Sequence, residues 1–354
     1  ILPTLFLIPT QMFQETDRTI IIAEAGVNHN GDFDMACRMI DAAAAAGADY
    51  VKFQTAVPEL VIAANAPKAE YQKETTGSDE SQLEMCRAIH LPLSAYAKLN
   101  MLCRERGIGF VSTPFDHVSI DCLEPLRMDF WKIPSGEITN LPYLRKIGAL
   151  GQPVVMSTGM ATAAEVDAAL EVLRKAGTPL SRIALLHCTT QYPAPDSSVN
   201  LRAMHTLAAT GCAAVGYSDH TVGITASVAA VACGARIIEK HFTLDRNLPG
   251  PDHKASIEPA ELAEMVAQIR RVELMLGDGC KTAAEAEIPN IAIARKSIVA
   301  AMPIAQGETF TSSNIIAKRP GTGISPMLWD SLSGRKATRA YSADELIDPS
   351  ELGN

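Results

Sequence analysis

The segment RIIEKHFT, residues 236–243, joins a buried strand to three ionisable side chains. Its two isoleucines are apolar and β-branched, which is typical of a strand in a protein core. Glu239, Lys240 and His241 follow, and burying three such groups without partners would be costly. The segment therefore predicts a strand that ends at a polar site.

Seven earlier segments repeat this design, and helical patterns lie between them. The first helix is predicted to begin after the capping residue Asp32 and to stop at Gly47. The other strand segments are TIIIAEA (19–25), DYVKFQT (49–55), GFVSTPF (109–115), FWKIPSG (130–136), PVVMSTG (153–159), IALLHCT (183–189) and AAVGYSDH (213–220). Eight strands alternating with helices predict an α/β protein, a closed (β/α)8 TIM barrel.

The alternation of strands and helices stops near residue 280. An Ala- and Glu-rich helical stretch follows. Beyond it the predicted elements are short and turns are frequent. We predict a catalytic barrel over residues 1–280, a linker over 281–294 and a separate small module over 295–354.

Composition narrows the functional classes. The chain has 354 residues and a net charge of −9, and it contains no dominant basic stretch, so a nucleic-acid partner is not expected. The eight cysteines are scattered without a CxxC pair, which indicates reduced core residues of a cytoplasmic protein. The apolar start, residues 1–13, is short and interrupted by prolines, so it predicts a strand or hairpin rather than a membrane span.

Polar residues stand at the ends of all eight predicted strands. In a barrel of this type the carboxyl ends of the strands form the active-site face. A ring of polar side chains there predicts one site at the barrel mouth. The ring includes Glu24, Lys52, Gln54, Thr113, Lys132, Ser135, Glu137, Ser157, Thr190, Tyr192, Ser218, His220, Glu239 and His241.

Two histidines in this ring suggest a metal site. His220 and His241 end neighbouring strands, which lie about 4.8 Å apart, so their imidazoles can share one ion. Glu24 or Glu137 could complete the site directly or through water. Imidazole and oxygen ligands favour Mn, Fe, Co or Zn over Ca.

Two lysines suggest an anion site beside the metal. Lys52 and Lys132 can neutralise phosphate or carboxylate groups, and nearby hydroxyls can fill the remaining acceptor positions. These hydroxyls belong to Ser135, Ser157 and Ser218. Lys240 points away from this face and is interpreted as a helix-facing ion-pair residue. Asp252, on the loop GPDH (250–253), is predicted to hold a sugar hydroxyl.

Many motifs, in order over residues 19–345, resemble sialic acid synthases, the neuraminate synthase family. The barrel motifs are IIAEAGVNHNG, VKFQT, STPFD, KIPSGE, STGMAT, GYSDHTVG, EKHFTLD and GPDHKASIEP. The tail PIAQGETFTSSNIIAKRPGTGISP is similar to the antifreeze-like (SAF) module of that family, which has a β-clip fold. Residues 66–85 resemble the bacterial N-acetylneuraminate branch.

The resemblance implies an activity, a cofactor and a role for each site residue. Phosphoenolpyruvate, N-acetylmannosamine and water would give N-acetylneuraminate and phosphate, with Mn²⁺ or Mg²⁺ as the divalent metal. His220 and His241 match the metal ligands, and Glu137 matches the carboxylate near the reacting carbon. The phosphoenolpyruvate contacts would be Lys52, Thr113, Lys132, Ser135, Ser157 and Ser218. The sugar contacts would be Glu24, Gln54, Tyr192 and Asp252, with Thr190 as a further substrate contact.

The resemblance also implies a domain-swapped homodimer, in which the tail of one chain caps the barrel of the other. Arg319, in KRPGTG, would then reach the N-acetyl group of the partner's sugar.

Three alternatives remain open from the residues. A synthase of a related nonulosonate, such as legionaminate or pseudaminate, would use the same chemistry on another sugar, and the loop 58–80 would help to decide. A Schiff-base aldolase could use Lys52, Lys132 or Lys240. A carbohydrate- or ice-binding protein built on the tail would leave the ring of polar residues unexplained.

Overall fold

The computed structural model describes Phe13, residues 18–68 and residues 81–353. The predicted strand or hairpin at the start of the chain, apart from Phe13, lies outside these residues, as does the part of the 58–80 loop after residue 68. The chain forms two compact units, Ile1–Gly277 and Asp278–Asn354. In the described part of the chain, no helix is both long and apolar enough to cross a membrane.

The first unit is a barrel of eight parallel strands, and all eight predicted strands are confirmed. The strands are β1 Ile20–Gly26, β2 Tyr50–Thr55, β3 Gly109–Pro114, β4 Trp131–Ile133, β5 Val154–Ser157, β6 Ile183–Cys188, β7 Ala214–Asp219 and β8 Ile237–His241. Their hydrogen-bonded order is β3-β2-β1-β8-β7-β6-β5-β4. The end strands β3 and β4 lie side by side, which closes the barrel. At this seam the Ser112 N–H donates to Met128 Sδ at 3.2 Å.

Helices surround the strands, and several begin at a residue whose side chain caps the first turn. They are α1 Phe33–Ala45, α2 Pro58–Val61, α3 Gln82–Ile89, α4 Ala95–Arg106, α5 His117–Leu123, α6 Leu141–Ala149, α7 Ala163–Ala176, α8 Ala203–Ala208, α9 Thr225–Ala232 and α10 Pro259–Leu276. The predicted first helix is confirmed: Asp32 Oδ1 accepts from the Met35 N–H at 3.0 Å. Gly47 follows this helix with φ of 82°, a left-handed conformation that glycine adopts at no steric cost.

The barrel core is built from strand residues that are buried on both faces, as in other parallel sheets. Trp131 on β4 is almost fully buried, and its Nε1 donates to Gln152 Oε1 at 2.9 Å. All eight cysteines are free. Only Cys103 and Cys188 are buried, however, and Cys233 and Cys280 are exposed, so the prediction that the cysteines are core residues holds for a minority.

The second unit has its own small core. It contains α11 Ile288–Ala294, the antiparallel pair β9 Ser297–Ala300 and β10 Ile315–Lys318, and the short helix α12 Trp329–Leu332. The predicted linker, 281–294, thus carries a helix and belongs to this unit. The core gathers apolar residues from turns as well as strands: Ile298, Phe310, Ile315, Leu332, Tyr341 and Ile347, with Trp329 packed against them.

Candidate active site

A cavity of about 310 Å³ opens at the carboxyl ends of the barrel strands. This size suits a small metabolite. It gathers side chains from all eight strand ends and from the loop after β8, as the ring of polar residues predicted. The predicted site residues that line it are Glu24, Lys52, Gln54, Thr113, Lys132, Ser135, Ser157, Thr190, Tyr192, Ser218, His220, His241 and Asp252.

Lys52 is the centre of a buried ionic group on β1 and β2. Its Nζ lies 2.6 Å from Glu24 Oε2 and donates to Thr113 Oγ1 at 3.2 Å. Gln54 Nε2 donates to the other Glu24 oxygen at 3.2 Å. Lys52 and Gln54 therefore share the inward face of β2, as their two-residue spacing requires.

Lys132 forms a second ionic group, and Glu239 connects it to the first. Lys132 Nζ donates to Ser157 Oγ at 2.7 Å and lies 3.8 Å from Glu239 Oε1. The other Glu239 oxygen lies 3.6 Å from Lys52 Nζ. Ser218 Oγ donates to Glu239 Oε1 at 2.9 Å. One buried carboxylate thus faces two buried ammonium groups.

Burial and neighbouring charges set the ionisation of this group. Burial alone would lower the pKa of Lys52, but Glu239 and Glu24 raise it above its usual value. Burial lowers the pKa of Lys132, and Glu239 offsets this only in part. Burial opposes ionisation of Glu239, yet Lys132 and Lys52 hold its pKa below the usual range. Burial raises the pKa of Glu24 to about 7, against the effect of Lys52.

His220 and His241 face each other at the ends of β7 and β8, with ring centroids 5.5 Å apart. His220 Nδ1 lies 2.6 Å from the Thr189 carbonyl oxygen, so Nδ1 carries the proton and Nε2 keeps its lone pair. His241 Nδ1 is buried without a hydrogen-bond partner. Burial lowers the pKa of both imidazoles, and His220 further lowers that of His241.

This pair fits the role of metal ligand. Neutral imidazole is the form that binds metals, and a backbone carbonyl on the opposite ring nitrogen is the usual support of a ligating histidine. Within the described ranges, no three His, Cys, Asp or Glu side chains converge closely enough to hold an ion. Glu24, one predicted third ligand, is engaged by Lys52 and Gln54. His220 and His241 are therefore the residues that would hold such an ion.

Gly159 is a close-approach glycine beside the anion site. Its N–H donates to Ser135 Oγ at 2.9 Å, and Ser135 Oγ lies 3.2 Å from Cys188 Sγ. A Cβ at this position would lie 2.3 Å from Thr190 Oγ1 and 2.8 Å from Ser135 Oγ. Only glycine leaves room for these hydroxyls at the cavity wall.

Tyr192 and Asp252 complete the wall. The Tyr192 ring lies 4.2 Å from the His220 ring, centroid to centroid, and 5.6 Å from that of His241. Asp252 is buried on the loop after β8, and burial raises the pKa of its carboxyl to about 6. Thr190 lines the cavity, whereas the Thr189 hydroxyl donates to Ser198 O at 2.9 Å.

Two predicted site residues do not line this cavity. Glu137 lies in a 3₁₀ turn after β4, where its carboxylate accepts from Asn140 Nδ2 and burial raises its pKa. Arg319 is an exposed residue of the second unit, and its Nε donates to Ala294 O at 3.1 Å. Their catalytic and sugar-binding roles stay predictions.

Some features of the cavity were not predicted from the sequence. Glu239 belongs to the predicted ring, but its two lysine partners could not be predicted from strand spacing. A second wall comes from α3 and the residue after it, where Met85, Cys86, Ile89 and His90 line the cavity. This wall follows a loop rather than a strand, so strand periodicity carries no signal for it.

The interpretation of Lys240 as an ion-pair residue is confirmed. Its Nζ lies 3.1 Å from Asp219 Oδ2 and donates to Thr221 O at 2.6 Å, with both charged side chains fully buried. Asp219 also accepts from Ser227 Oγ on α9 at 2.6 Å, so the pair lies on the helix side of the barrel.

A barrel with buried ionic groups and paired imidazoles at the carboxyl ends of its strands is the architecture of an enzyme active site. The sequence of residues 39–281 matches the NeuB family model, and residues 295–353 match the SAF domain model. The chain belongs to the NeuB family, whose members include synthases of sialic-type sugar acids.

Known relatives narrow the class further. The chain is 52% identical to N,N'-diacetyllegionaminic acid synthase of Campylobacter jejuni, over 93% of this chain and 99% of the relative. It is 44% identical to the synthase of the same name from Legionella pneumophila, over 91% of each. Among solved structures, the N-acetylneuraminic acid synthetase of Leptospira borgpetersenii superimposes with a TM-score of 0.67 at 35% identity, over 77% of this chain and 90% of that one.

Proposed function

We propose that this protein is a nonulosonate synthase that condenses phosphoenolpyruvate with an N-acetylated amino sugar and water, releasing phosphate. The observation that carries the proposal is the joint placement of Lys52, Lys132 and the pair His220–His241 around one cavity. Two ammonium groups suit an enol phosphate that bears both a carboxylate and a phosphate. Two neutral imidazoles suit a divalent metal near an aldehyde.

Lys52 and Lys132 bind and orient the anionic substrate. Lys52 donates a hydrogen bond to the Thr113 hydroxyl, and Lys132 donates one to the Ser157 hydroxyl. The two cationic groups are therefore positioned before the substrate arrives. Glu239 between them prevents the two buried positive charges from repelling each other in the free enzyme. Preorganised charge of this kind stabilises the phosphate as it develops negative charge and leaves.

His220 and His241 would hold Mn²⁺ or Mg²⁺ at the sugar end of the cavity. When bound, the ion supplies Lewis-acid polarisation of the sugar's aldehyde. The Tyr192 ring, tilted against His220 and edge-on to His241, packs against this position and excludes water from one side of it.

In this proposal Glu24 delivers a proton to the aldehyde oxygen. Its pKa of about 7 keeps part of the population protonated near neutral pH, which suits a general acid. The new carbon–carbon bond joins C3 of phosphoenolpyruvate to the aldehyde carbon, and the aldehyde oxygen takes the proton. Water then adds at C2 and loses one proton, which restores Glu24. The C2–O bond to phosphate breaks, and the remaining hydroxyl proton leaves with the phosphate.

We propose a 6-deoxy-2,4-diacetamido sugar as the acceptor, giving N,N'-diacetyllegionaminate. The 52% identity to the Campylobacter jejuni synthase over nearly its whole length supports this choice. The apolar residues Met85 and Ile89 in the cavity wall are compatible with a methyl group of such a sugar. N-acetylmannosamine, giving N-acetylneuraminate, is the second candidate, and the likeness to the Leptospira structure favours it.

The test is phosphate release from phosphoenolpyruvate with Mn²⁺ and each of the two sugars. Release with the diacetamido sugar, abolished by EDTA and restored by Mn²⁺, supports the proposal. Release with N-acetylmannosamine alone moves the assignment to a neuraminate synthase. No release with either sugar refutes both.

A Schiff-base aldolase is tested in the same samples. Its lysine must be an unprotonated amine, and the raised pKa of Lys52 opposes this. Borohydride trapping with pyruvate should leave the mass of the protein unchanged. A mass increase on Lys132 or Lys240 would favour the aldolase.

A further inference from the structure

We propose that Asn28 is a positioning residue for Asp252: its side-chain amide joins the two ends of the loop that carries Asp252 into the cavity. The inference rests on the proposed function, in which Asp252 contacts the sugar. Asn28 itself does not line the cavity and would act through its neighbours.

The Asn28 amide donates two hydrogen bonds to two different parts of the chain. Asn28 follows β1 and is 1% exposed. Its Nδ2 donates to Phe242 O at 3.0 Å and to Ser256 Oγ at 2.9 Å. Phe242 directly follows β8, where the loop leaves the barrel, and Ser256 stands where the loop returns.

Ser256, at the returning end of the loop, is hydrogen-bonded to the backbone of Asp252. Ser256 Oγ donates to the Asp252 carbonyl oxygen at 2.7 Å. Since the single hydroxyl proton of Ser256 is used there, its oxygen accepts from Asn28. The three residues form a directed chain from Asn28 through Ser256 to the backbone of Asp252.

The loop is also closed by backbone pairing beside the same point. The Ile257 N–H donates to His241 O at 3.0 Å, and the Thr243 N–H donates to Ile257 O at 2.9 Å. The outgoing and returning segments of the chain therefore lie side by side, and residues 244–255 form a loop that is closed at its base. Asn28 bridges its two ends from the β1 side.

Asparagine is the residue type that this position requires. A primary amide has two N–H donors, whereas an ionised carboxylate has none and a hydroxyl has one. Both acceptors are buried, so a lost donor leaves a polar atom unsatisfied. Asn28→Ala and Asn28→Asp should therefore both release the returning end of the loop.

Asn30 provides a matched control in the same pair of loops. Its Nδ2 donates to Pro249 O at 2.7 Å in an exposed bond, and its Oδ1 lies 3.4 Å from His253 Nε2. Neither contact belongs to the hydrogen-bond chain from Asn28 through Ser256 to Asp252. Loss of the Asn30 contact loosens the outer part of the loop and leaves the Asn28–Ser256 bridge in place.

The kinetic test compares Asn28→Ala, Ser256→Ala and Asn30→Ala in the holoenzyme. Losing one or two buried hydrogen bonds should raise KM for the sugar about tenfold in the first two variants. KM for phosphoenolpyruvate should stay within about twofold, because Lys52 and Lys132 are held by hydrogen bonds to Thr113 and Ser157, outside this loop. Asn28→Ala and Ser256→Ala should be non-additive when combined. Additive effects, equal rises in both KM values, or an equal effect of Asn30→Ala would overturn the proposal.

Hydrogen–deuterium exchange tests the same bridge without substrate. Amides of residues 251–256 should exchange faster in Asn28→Ala and in Ser256→Ala than in wild type, while the strands keep their protection. Unchanged exchange in both variants would overturn the proposal even if the enzyme is active. If the two variants exchange faster but the wild-type protein turns over neither sugar, the proposed function is refuted and the Asn28–Ser256 bridge is supported.

Discussion

Lys132 Nζ lies 3.8 Å from Glu239 Oε1 inside the barrel mouth, and both side chains are almost fully buried. Lys52 approaches the other oxygen of the same carboxylate at 3.6 Å. A buried carboxylate between two ammonium groups offsets their mutual repulsion when no anionic substrate is bound. The arrangement also favours the binding of a second anion, because the two lysine charges face only one fully ionised carboxylate, that of Glu239.

Glu239→Gln tests this arrangement through stability. Removing one partner of a buried ionic group should lower the free energy of unfolding by about 3 kcal/mol, because two buried ammonium groups lose a shared counter-charge. Phosphoenolpyruvate should restore part of this loss, so its thermal shift should be larger in the variant than in wild type. Thermal unfolding with and without the ligand measures both effects.

The exposed pair Arg106–Asp41 supplies the control for Glu239→Gln. Its atoms lie 2.6 Å apart, yet both side chains are about half exposed. Asp41→Asn should change stability by less than about 1 kcal/mol and leave the ligand-induced shift unaltered. Equal ligand shifts in wild type and Glu239→Gln would show that the carboxylate does not compensate the lysines.

The rate should fall as pH rises through about 7 if Glu24 delivers the proton. Burial raises the pKa of Glu24 to about 7, so the carboxyl is protonated below that pH and ionised above it. Glu24→Gln should turn over slowly, with no pH dependence in this range. A pH profile of kcat/KM for both proteins is the measurement. A wild-type rate that increases through pH 7 would contradict the acid role.

Glu137→Gln distinguishes the two carboxylates. Glu137 does not line the cavity, whereas the sequence predicted that it acts near the reacting carbon. If Glu137 acts near the reacting carbon, Glu137→Gln should lower kcat far more than it lowers substrate affinity. A variant with near wild-type kcat would assign the chemistry to Glu24 alone.

Asp252→Asn should stabilise the protein at pH 8 while it weakens the enzyme. Burial raises the pKa of Asp252 from 3.8 to about 6, so the folded state favours the protonated form. The wild type therefore loses stability as pH rises through this window, by about 3 kcal/mol at most. The variant carries no such charge, so its advantage should grow between pH 4 and about 6 and then level off. Denaturant unfolding across this range checks the sign.

Gly159→Ala should weaken phosphoenolpyruvate binding without unfolding the barrel. The added Cβ would lie 2.3 Å from Thr190 Oγ1, which displaces a hydroxyl of the cavity wall. Gly136 is the matched control, because it also lines the cavity and a Cβ there meets nothing within 4 Å. We expect KM for phosphoenolpyruvate to rise at least about tenfold for Gly159→Ala and to change little for Gly136→Ala. Similar kinetics in the two variants would rule out the steric explanation.

His241→Ala should reduce Mn²⁺ affinity about a hundredfold or more at little cost in stability. The Nδ1 atom of His241 has no hydrogen-bond partner, so the protein loses packing but no satisfied polar contact. Electron paramagnetic resonance of free Mn²⁺ gives the affinity without an activity assay. Unchanged Mn²⁺ binding would place the metal elsewhere.

Strand periodicity and the polarity of strand ends explain how much of the site could be predicted. Lys52 and Gln54 share a face because the side-chain period of a strand is two, and the barrel brings every strand end to one mouth. The same rule places His220 beside His241. These inferences depend on local spacing and on one topological rule.

Contacts between distant segments could not be predicted in the same way. Glu239 meets Lys132 only after the barrel has closed, and Asn28 meets Ser256 across 228 positions of sequence. Glu137 shows the limit of the rule from the other side: it stands next to a strand end in sequence, but it lies in a 3₁₀ turn where its carboxylate accepts from Asn140. Periodicity assigns a face within a strand and carries no information beyond its last residue.

The chain has two tryptophans, and they fall in different units: Trp131 in the barrel and Trp329 in the C-terminal unit. Trp131 is buried and donates to Gln152, whereas Trp329 packs at the edge of the small core. Each unit thus carries its own fluorophore, at a different depth. Replacing either one with phenylalanine would let intrinsic emission follow the melting of one unit at a time, with no label attached.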